Sequence, residues 1–222
     1  MDKRVLLIEQ GCGYIDPTDE RNKVFLNEAI NFGDQERKLE IVEPLRLFVV
    51  LQKYDVLNKN GRIYPKRVLI AQAKEYQKLI DTGSSLGEAE HPDSTIINSS
   101  RVALGIKKIW FEGQTMVGEC EIIMSPGFIK HGIISCEGDN IANLLRLGYR
   151  VGVSSRGIGS VIERDGTLIV QDDFELICWD VVLNPSTPGS YLFNNKEEAQ
   201  PFMESVENKE TLLENSLRDF LL

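Results

Sequence analysis

Short segments in which hydrophobic and polar positions alternate dominate the chain, and this alternation is typical of β-strands. Apolar residues recur at every second position between 102 and 124, and Glu112-Gly113-Gln114 in the middle predicts a hairpin turn. A strand is also predicted at 45–56 and another at 174–183. Between them, residues 151–170 are predicted to form a second hairpin, with its turn at Asp165-Gly166. The pattern favours a mostly antiparallel sheet or barrel.

Helical spacing of apolar residues occurs in two places. From Leu69 to Ile80 the spacings are 4, 3 and 4, and Gly83 marks the end of this helix. Asp139 is a candidate N-cap for a second, shorter helix that Gly148 ends. Because strands and helices do not alternate as βα units, the sequence predicts an α+β fold.

The chain is predicted to have three regions. Residues 1–44 are mostly polar and form an irregular N-terminal arm, while residues 45–193 hold the predicted strands and both helices. Residues 194–222 form an acidic helical tail with a narrow apolar stripe, and little in this tail is expected to pack against the strands.

The composition limits the classes of partner. Among 222 residues, 25 Lys and Arg stand against 34 Asp and Glu, and the net charge of −9 with no basic patch argues against nucleic acid or anionic lipid. The longest apolar run, 47–51, is too short to span a membrane, and the first residues lack the apolar core of a signal peptide. The four cysteines form no Cys-x-x-Cys pair, so reduced thiols are expected and no metal or cofactor is predicted.

A glycine-flanked segment from Gly152 to Gly159 contains Ser154, Ser155 and Arg156. Glycine inside a strand often marks a close approach of another backbone, so a serine here is accessible to a bound peptide. Arg156 could donate hydrogen bonds to a developing oxyanion. The structural alternative is a Gly/Ser bulge with a solvated arginine.

Two further residues have the chemistry that a nucleophilic serine needs. His91, one of two histidines, lies in a Glu-His-Pro sequence, where neighbouring carboxylates could fix its tautomer. Asp180 lies within an apolar strand, where an unpaired acid is costly to bury. A surface histidine and an outward-facing acid are the alternatives. Serine, histidine and aspartate from separate segments satisfy the residue types of acyl transfer.

Four segments together resemble the prohead core proteases of myovirus-type tailed phages, in the same order and with similar spacing over 45–193. They are Asn58-x-Asn60-Gly61-Arg62-Ile63-Tyr64-Pro65, Leu86-Gly87-Glu88-x-x-His91-Pro92, Gly152–Gly159, and Asp180 ahead of Asn184-Pro185-Ser186. The resemblance implies a closed β-barrel flanked by helices, similar to herpesvirus assemblin. It also implies a serine endopeptidase that cuts scaffold (core) and capsid proteins inside the procapsid, in the host cytoplasm.

The resemblance also assigns roles to individual residues. His91 is the expected general base, Ser154 the nucleophile and Asp180 the third member of the triad. Ser155 stays an alternative to Ser154, and Glu88 stays a rival of Asp180. Arg156, together with local backbone N–H groups, is expected to stabilise the oxyanion. A non-catalytic head or scaffold-associated protein of the same fold is the alternative function, and a homo-oligomer is left open.

Family members tend to cut after glutamate with an apolar residue two positions earlier, so the resemblance predicts self-trimming after Glu214 in Leu212-Leu213-Glu214. The alternative is that Thr211-x-x-Glu214 is a capping box that opens a helix. Four basic residues are candidates for reading a substrate glutamate: Arg101, Arg150, Arg156 and Lys107.

Overall fold

The computed structural model describes residues 44–203. The predicted arm lies outside this range, apart from its last residue, and so do most of the tail and the predicted cleavage position Glu214. The elements, in chain order, are β1 (Leu45–Lys53), β2 (Arg62–Ile63), α1 (Lys66–Asp81), β3 (Leu86–Glu88), a 3₁₀ turn (Ser99–Arg101), β4 (Val102–Glu112), β5 (Thr115–Ile122), α2 (Pro126–His131), α3 (Glu137–Arg146), β6 (Gly152–Ile158), β7 (Val161–Arg164), β8 (Thr167–Val170), β9 (Glu175–Val182), β10 (Leu192–Phe193) and α4 (Lys196–Met203). None of the described helices is long and apolar enough to cross a membrane.

The fold is a mixed α+β arrangement with largely antiparallel strand pairing, as the sequence predicts. The closed barrel is not found among the described strands, because hydrogen bonds divide them among three sheets: β10-β1-β5-β4-β3, β2-β8-β7 and β6-β9. An isolated bridge between Ala89 and Val181 links the residue after β3 to β9, and another between Gly152 and Tyr191 links β6 to the residue before β10. The two-stranded sheet is thereby attached near both edges of the five-stranded sheet.

Strand β1 is buried on both faces, which explains its continuous apolar sequence. Val49 on one face joins the main core, whereas Phe48 and Val50 on the other face pack with Ala199 and Met203 of α4. The first residues of the predicted tail therefore pack against the sheet, contrary to the expectation that the tail would be separable.

Helix α1 confirms the predicted apolar stripe. Its buried residues include Leu69 and Tyr76, and the chain leaves the helix through Gly83, whose φ of +71° suits a residue without a Cβ. The ring of Tyr76 meets that of Trp179 edge-on, with the centroids 4.6 Å apart. Helix α1 thereby packs against β9 at Trp179, the residue that precedes Asp180.

The prediction that Asp139 is the N-cap of the second helix is wrong by three residues. Cys136 occupies the cap position, and Asp139 is the third residue of α3. The Asp139 carboxylate reaches back to accept a hydrogen bond from the Cys136 amide, 3.1 Å away. The residue therefore does assist the start of this helix, from inside its first turn.

Candidate active site

The pairing of β6 with β9 sets the two candidate serines apart. Ser154 lies directly opposite Asp180, and Ser155 lies opposite Trp179. Residues opposite each other in an antiparallel pair project from the same face, and successive residues project from opposite faces. Ser154 therefore shares a face with Asp180, while Ser155 shares the other face with the core residue Trp179.

His91 and Asp180 are in direct contact. His91 Nδ1 lies 2.8 Å from Asp180 Oδ2, although 89 residues separate them in the chain. Because a carboxylate accepts hydrogen bonds, this contact places the proton on Nδ1 and leaves Nε2 as the ring nitrogen able to accept a proton. The Asp180 side chain is fully buried, whereas 37% of the His91 side chain is exposed.

Several donors converge on the Asp180 carboxylate. Oδ1 accepts a hydrogen bond from the Glu88 amide at 2.8 Å, and Arg156 Nε lies 2.8 Å from Oδ2. Burial would raise the pKa of Asp180, but the hydrogen bonds from His91 and from the Glu88 amide outweigh burial and hold the pKa below its ordinary value. Asp180 is therefore a carboxylate at neutral pH.

A glycine allows the histidine loop to approach β9 this closely. A Cβ at Gly87 would lie 1.9 Å from the carbonyl oxygen of Trp179, so a larger residue would push β3 away from β9. Three residues later, the Glu90 amide donates a hydrogen bond to the carbonyl oxygen of Val181 at 2.8 Å. Glu90 also has a φ of +64°, in the left-handed region. These contacts place His91 over Asp180.

Glu88 does not contact the histidine. Its fully buried carboxylate pairs with two arginines: Oε1 lies 2.9 Å from Arg156 Nη2, and Oε2 lies 3.3 Å from Arg101 Nε. Oε1 also accepts the amide of Asn98 at 2.9 Å. The structure thus brings Asp180, and not its rival Glu88, to the imidazole.

The contacts of Arg156 differ from the expected oxyanion contact. The residue is 8% exposed, and its guanidinium is directed at Glu88, at Asp180 and at the carbonyl oxygen of Ser94, which is 2.7 Å from Nη1. The geometry therefore does not support an oxyanion role for this side chain. It joins the Asp180 carboxylate to the segment that follows His91.

A pocket of about 240 Å³ opens beside these residues. Its walls are formed by His91, the two serines and two further segments, with the lining residues Lys59, Asn60, Arg62, Tyr64, Val182, Asn184 and Ser186. In the described part of the chain, neither serine hydroxyl is hydrogen-bonded to His91. Such bonds are often long before substrate binds, so their absence does not argue against acyl transfer.

None of the four basic residues predicted to read glutamate lines this pocket. Arg101 and Arg156 pair with Glu88, Lys107 lies 3.7 Å from Glu121, and Arg150 stacks over the ring of Phe202. Sequence reasoning missed Lys59 and Arg62, although both lie within the first segment of the resemblance. The described residues contain no cluster of His, Cys, Asp or Glu suited to a metal ion.

Comparisons with known proteins identify the family of this chain. The family model described as "Prohead core protein serine protease" matches residues 6–200, and the chain belongs to this family. It is 33% identical over 146 residues to the "Prohead core protein protease" of Enterobacteria phage T4. That match covers 64% of this chain and 65% of the relative, so it spans slightly less than two thirds of the relative's length.

The fold also has a solved counterpart. The structure of the bacteriophage T4 capsid assembly protease matches with a TM-score of 0.58 and 28% identity. The match covers 66% of this chain and 88% of that one.

Proposed function

We propose that this protein is a serine endopeptidase in which Ser154 is the nucleophile, His91 the general base and Asp180 the residue that orients the imidazole. The observation that carries the proposal is the 2.8 Å contact between His91 Nδ1 and the buried Asp180 carboxylate. Ser154 lies directly opposite Asp180 on the paired strand β6. Membership of the prohead core protein serine protease family supports it.

The first half of the reaction forms an acyl-enzyme. Ser154 Oγ attacks the carbonyl carbon of the scissile peptide while His91 Nε2 takes the hydroxyl proton. The tetrahedral intermediate then collapses, the C–N bond breaks, and His91 returns the proton to the departing amine. Asp180 stays ionised throughout and stabilises the imidazolium that forms between these steps.

The second half releases the acyl group. Water attacks the ester carbonyl, His91 takes a proton from the water and gives it to Ser154 Oγ, and the product leaves as a carboxylic acid that ionises in solution. In place of the oxyanion role, we assign Arg156 a positioning role, because its guanidinium holds the Asp180 carboxylate and the Glu88 carboxylate together.

The substrates we propose are the scaffold (core) and capsid proteins of a phage procapsid, cut after glutamate inside that particle in the host cytoplasm. The names of the T4 relative, a prohead core protein protease, and of the solved T4 capsid assembly protease support the class of substrate and the procapsid location. The preference for glutamate follows only from the family resemblance described above. The segment Leu212-Leu213-Glu214 has the same form as such a cleavage sequence, so we include self-trimming after Glu214 in the proposal.

A fluorophosphonate probe tests the nucleophile directly, because it labels an activated serine without needing the natural substrate. We expect labelling and peptide hydrolysis in the full chain, loss of both in Ser154→Ala, and retention of both in Ser155→Ala. The reverse result would assign Ser155 instead. Absence of labelling and hydrolysis in the unmodified chain would contradict the peptidase proposal and favour the non-catalytic head protein.

A further inference from the structure

We propose that Arg62, assisted by Lys59, binds the acidic side chain of the substrate residue next to the scissile bond. This inference rests on the proposed peptidase function and names the residues that would give the same site its preference. It follows from the pocket itself: both cationic side chains line the cavity that His91 and Ser154 also line.

The loop that carries Arg62 is held in one conformation. The side-chain oxygen of Asn58 accepts hydrogen bonds from the amides of Asn60 and Arg62, at 2.9 and 3.0 Å. Gly61 between them has a φ of +70°, which a residue with a Cβ rarely adopts. Arg62 then enters β2 and pairs with Leu168 of β8. The backbone of Arg62 is therefore fixed before any ligand binds.

Lys59 ties this loop to the chain segment beyond β9. Its amide donates to the carbonyl oxygen of Ser186 at 3.0 Å, and its Nζ donates to the side-chain oxygen of Asn184 at 3.0 Å. Two segments that the sequence analysis singled out, around Asn60-Gly61 and around Asn184-Pro185, thus meet in one wall. The triad needs neither of them, so their convergence here calls for a binding role.

The charge of this wall is unbalanced. No Asp or Glu lines the pocket within the described residues, and Arg62 forms no ion pair with any of them. Of the other seven described arginines, four pair with carboxylates: Arg46, Arg67, Arg101 and Arg156. In a chain of net charge −9, an arginine and a lysine free of acids beside a candidate nucleophile favour an anionic ligand. A guanidinium can hold a carboxylate through two parallel hydrogen bonds.

A binding measurement tests this pocket without relying on catalysis. The ligand is a fluorescent peptide with residues 211–217 of this chain, Thr-Leu-Leu-Glu-Asn-Ser-Leu, and its counterpart with glutamine at position 214. The full chain carries Ser154→Ala to prevent hydrolysis and Glu214→Gln so that its own segment does not compete. We expect the glutamate peptide to bind about tenfold more tightly than the glutamine peptide.

Substitutions in that background locate the preference. Arg62→Gln should reduce the ratio of the two affinities to about one, Lys59→Gln should reduce it less, and Arg46→Gln, which removes one positive charge outside the pocket, should leave it unchanged. Arg62→Glu should favour a peptide with lysine at position 214. Equal affinities in the parent, no binding of either peptide, or an unchanged ratio in a folded Arg62→Gln protein would overturn the inference.

Hydrolysis rates separate this failure from failure of the proposed function. If the unmodified chain cleaves the glutamate peptide and Arg62→Gln keeps the full preference for glutamate over glutamine, the peptidase proposal stands and the assignment of Arg62 is wrong. If the chain neither hydrolyses peptides nor reacts with the fluorophosphonate, but the binding ratio depends on Arg62, the anionic pocket stands and the peptidase proposal is wrong.

Discussion

Within residues 44–203, two aspartates are fully buried, and their surroundings differ. Asp139 accepts hydrogen bonds from neutral groups only, among them the Ser125 amide at 2.6 Å, the Ser125 hydroxyl at 2.7 Å and the Ser135 amide at 2.8 Å. Asp180 instead contacts the charged Arg156 and the titratable, partly exposed His91. Both carboxylates are ionised at neutral pH, but of the two only Asp180 contacts an imidazole that lines the candidate pocket.

Under the proposed mechanism, this difference assigns Asp139 to stability and Asp180 to the chemistry of the site. The partners of Asp139 are Ser125, Ser135 and Cys136, all within the 14 residues that precede it. Its carboxylate therefore holds together a local segment of the chain. The partners of Asp180 come from two distant parts of the chain, the segment 88–91 and strand β6, and one of them is an imidazole at the pocket. Substituting each aspartate by asparagine should therefore affect different measurements.

The largest effect is expected for Asp180→Asn. An amide at this position can stabilise neither the Nδ1–H tautomer nor the imidazolium, so we expect kcat to fall about 10⁴-fold. Peptide hydrolysis measured per folded molecule, with circular dichroism to establish the folded fraction, checks this. A decrease of less than tenfold in a folded variant would contradict the role assigned to Asp180.

Asp139→Asn should act on stability instead. The asparagine side chain has a single acceptor oxygen and an NH₂ group, which would face the amide donors of Ser125 and Ser135. We expect the free energy of unfolding to fall by about 3 kcal/mol, because buried donors are left without acceptors. Urea denaturation measures this change. The kcat of the folded fraction should stay within about twofold of the unmodified value, and a large loss of kcat would show that the comparison with Asp180 is wrong.

Sequence reasoning reached the parts of this fold and site that depend on local signals. The stripe from Leu69 to Ile80 predicts α1, and a costly buried acid predicts a partner for Asp180, which His91 and Arg156 supply. The division of the strands into three sheets was not predictable, because it depends on contacts between distant segments.

The same limit applies inside the candidate site. The approach of Gly87 to Trp179 and the turn of Arg156 toward Glu88 each join residues that are more than 60 positions apart. Lys59 and Arg62 lay in a quoted segment, yet only the folded chain brings them beside His91.

A smaller effect is expected for Arg156→Lys. An ammonium keeps the positive charge but lacks the fork that reaches Glu88, Asp180 and the Ser94 carbonyl together. We expect kcat to fall about tenfold with little change in KM, and the fluorophosphonate reaction of Ser154 to slow by a similar factor. If Arg156 instead contacted substrate, KM would rise while the labelling rate stayed the same, and a positioning role would be wrong. Arg156→Gln, which also removes the charge, should lose more activity than Arg156→Lys.

The smallest expected effect is the contribution of Asp139 to acid unfolding. Burial would raise the pKa of Asp139, but hydrogen bonds from Ser125 and Ser135 lower it from 3.8 to about 2. Because the folded-state pKa lies below the unfolded-state value, this stabilisation is complete above about pH 4 and is lost as the pH falls toward 2. At pH 3 the loss is about 1 kcal/mol. Urea titrations of the unmodified chain and of Asp139→Asn at pH 7 and pH 3 should therefore differ by less at pH 3. A difference that is the same at both pH values would mean that hydrogen bonding to the ionised carboxylate does not stabilise this loop.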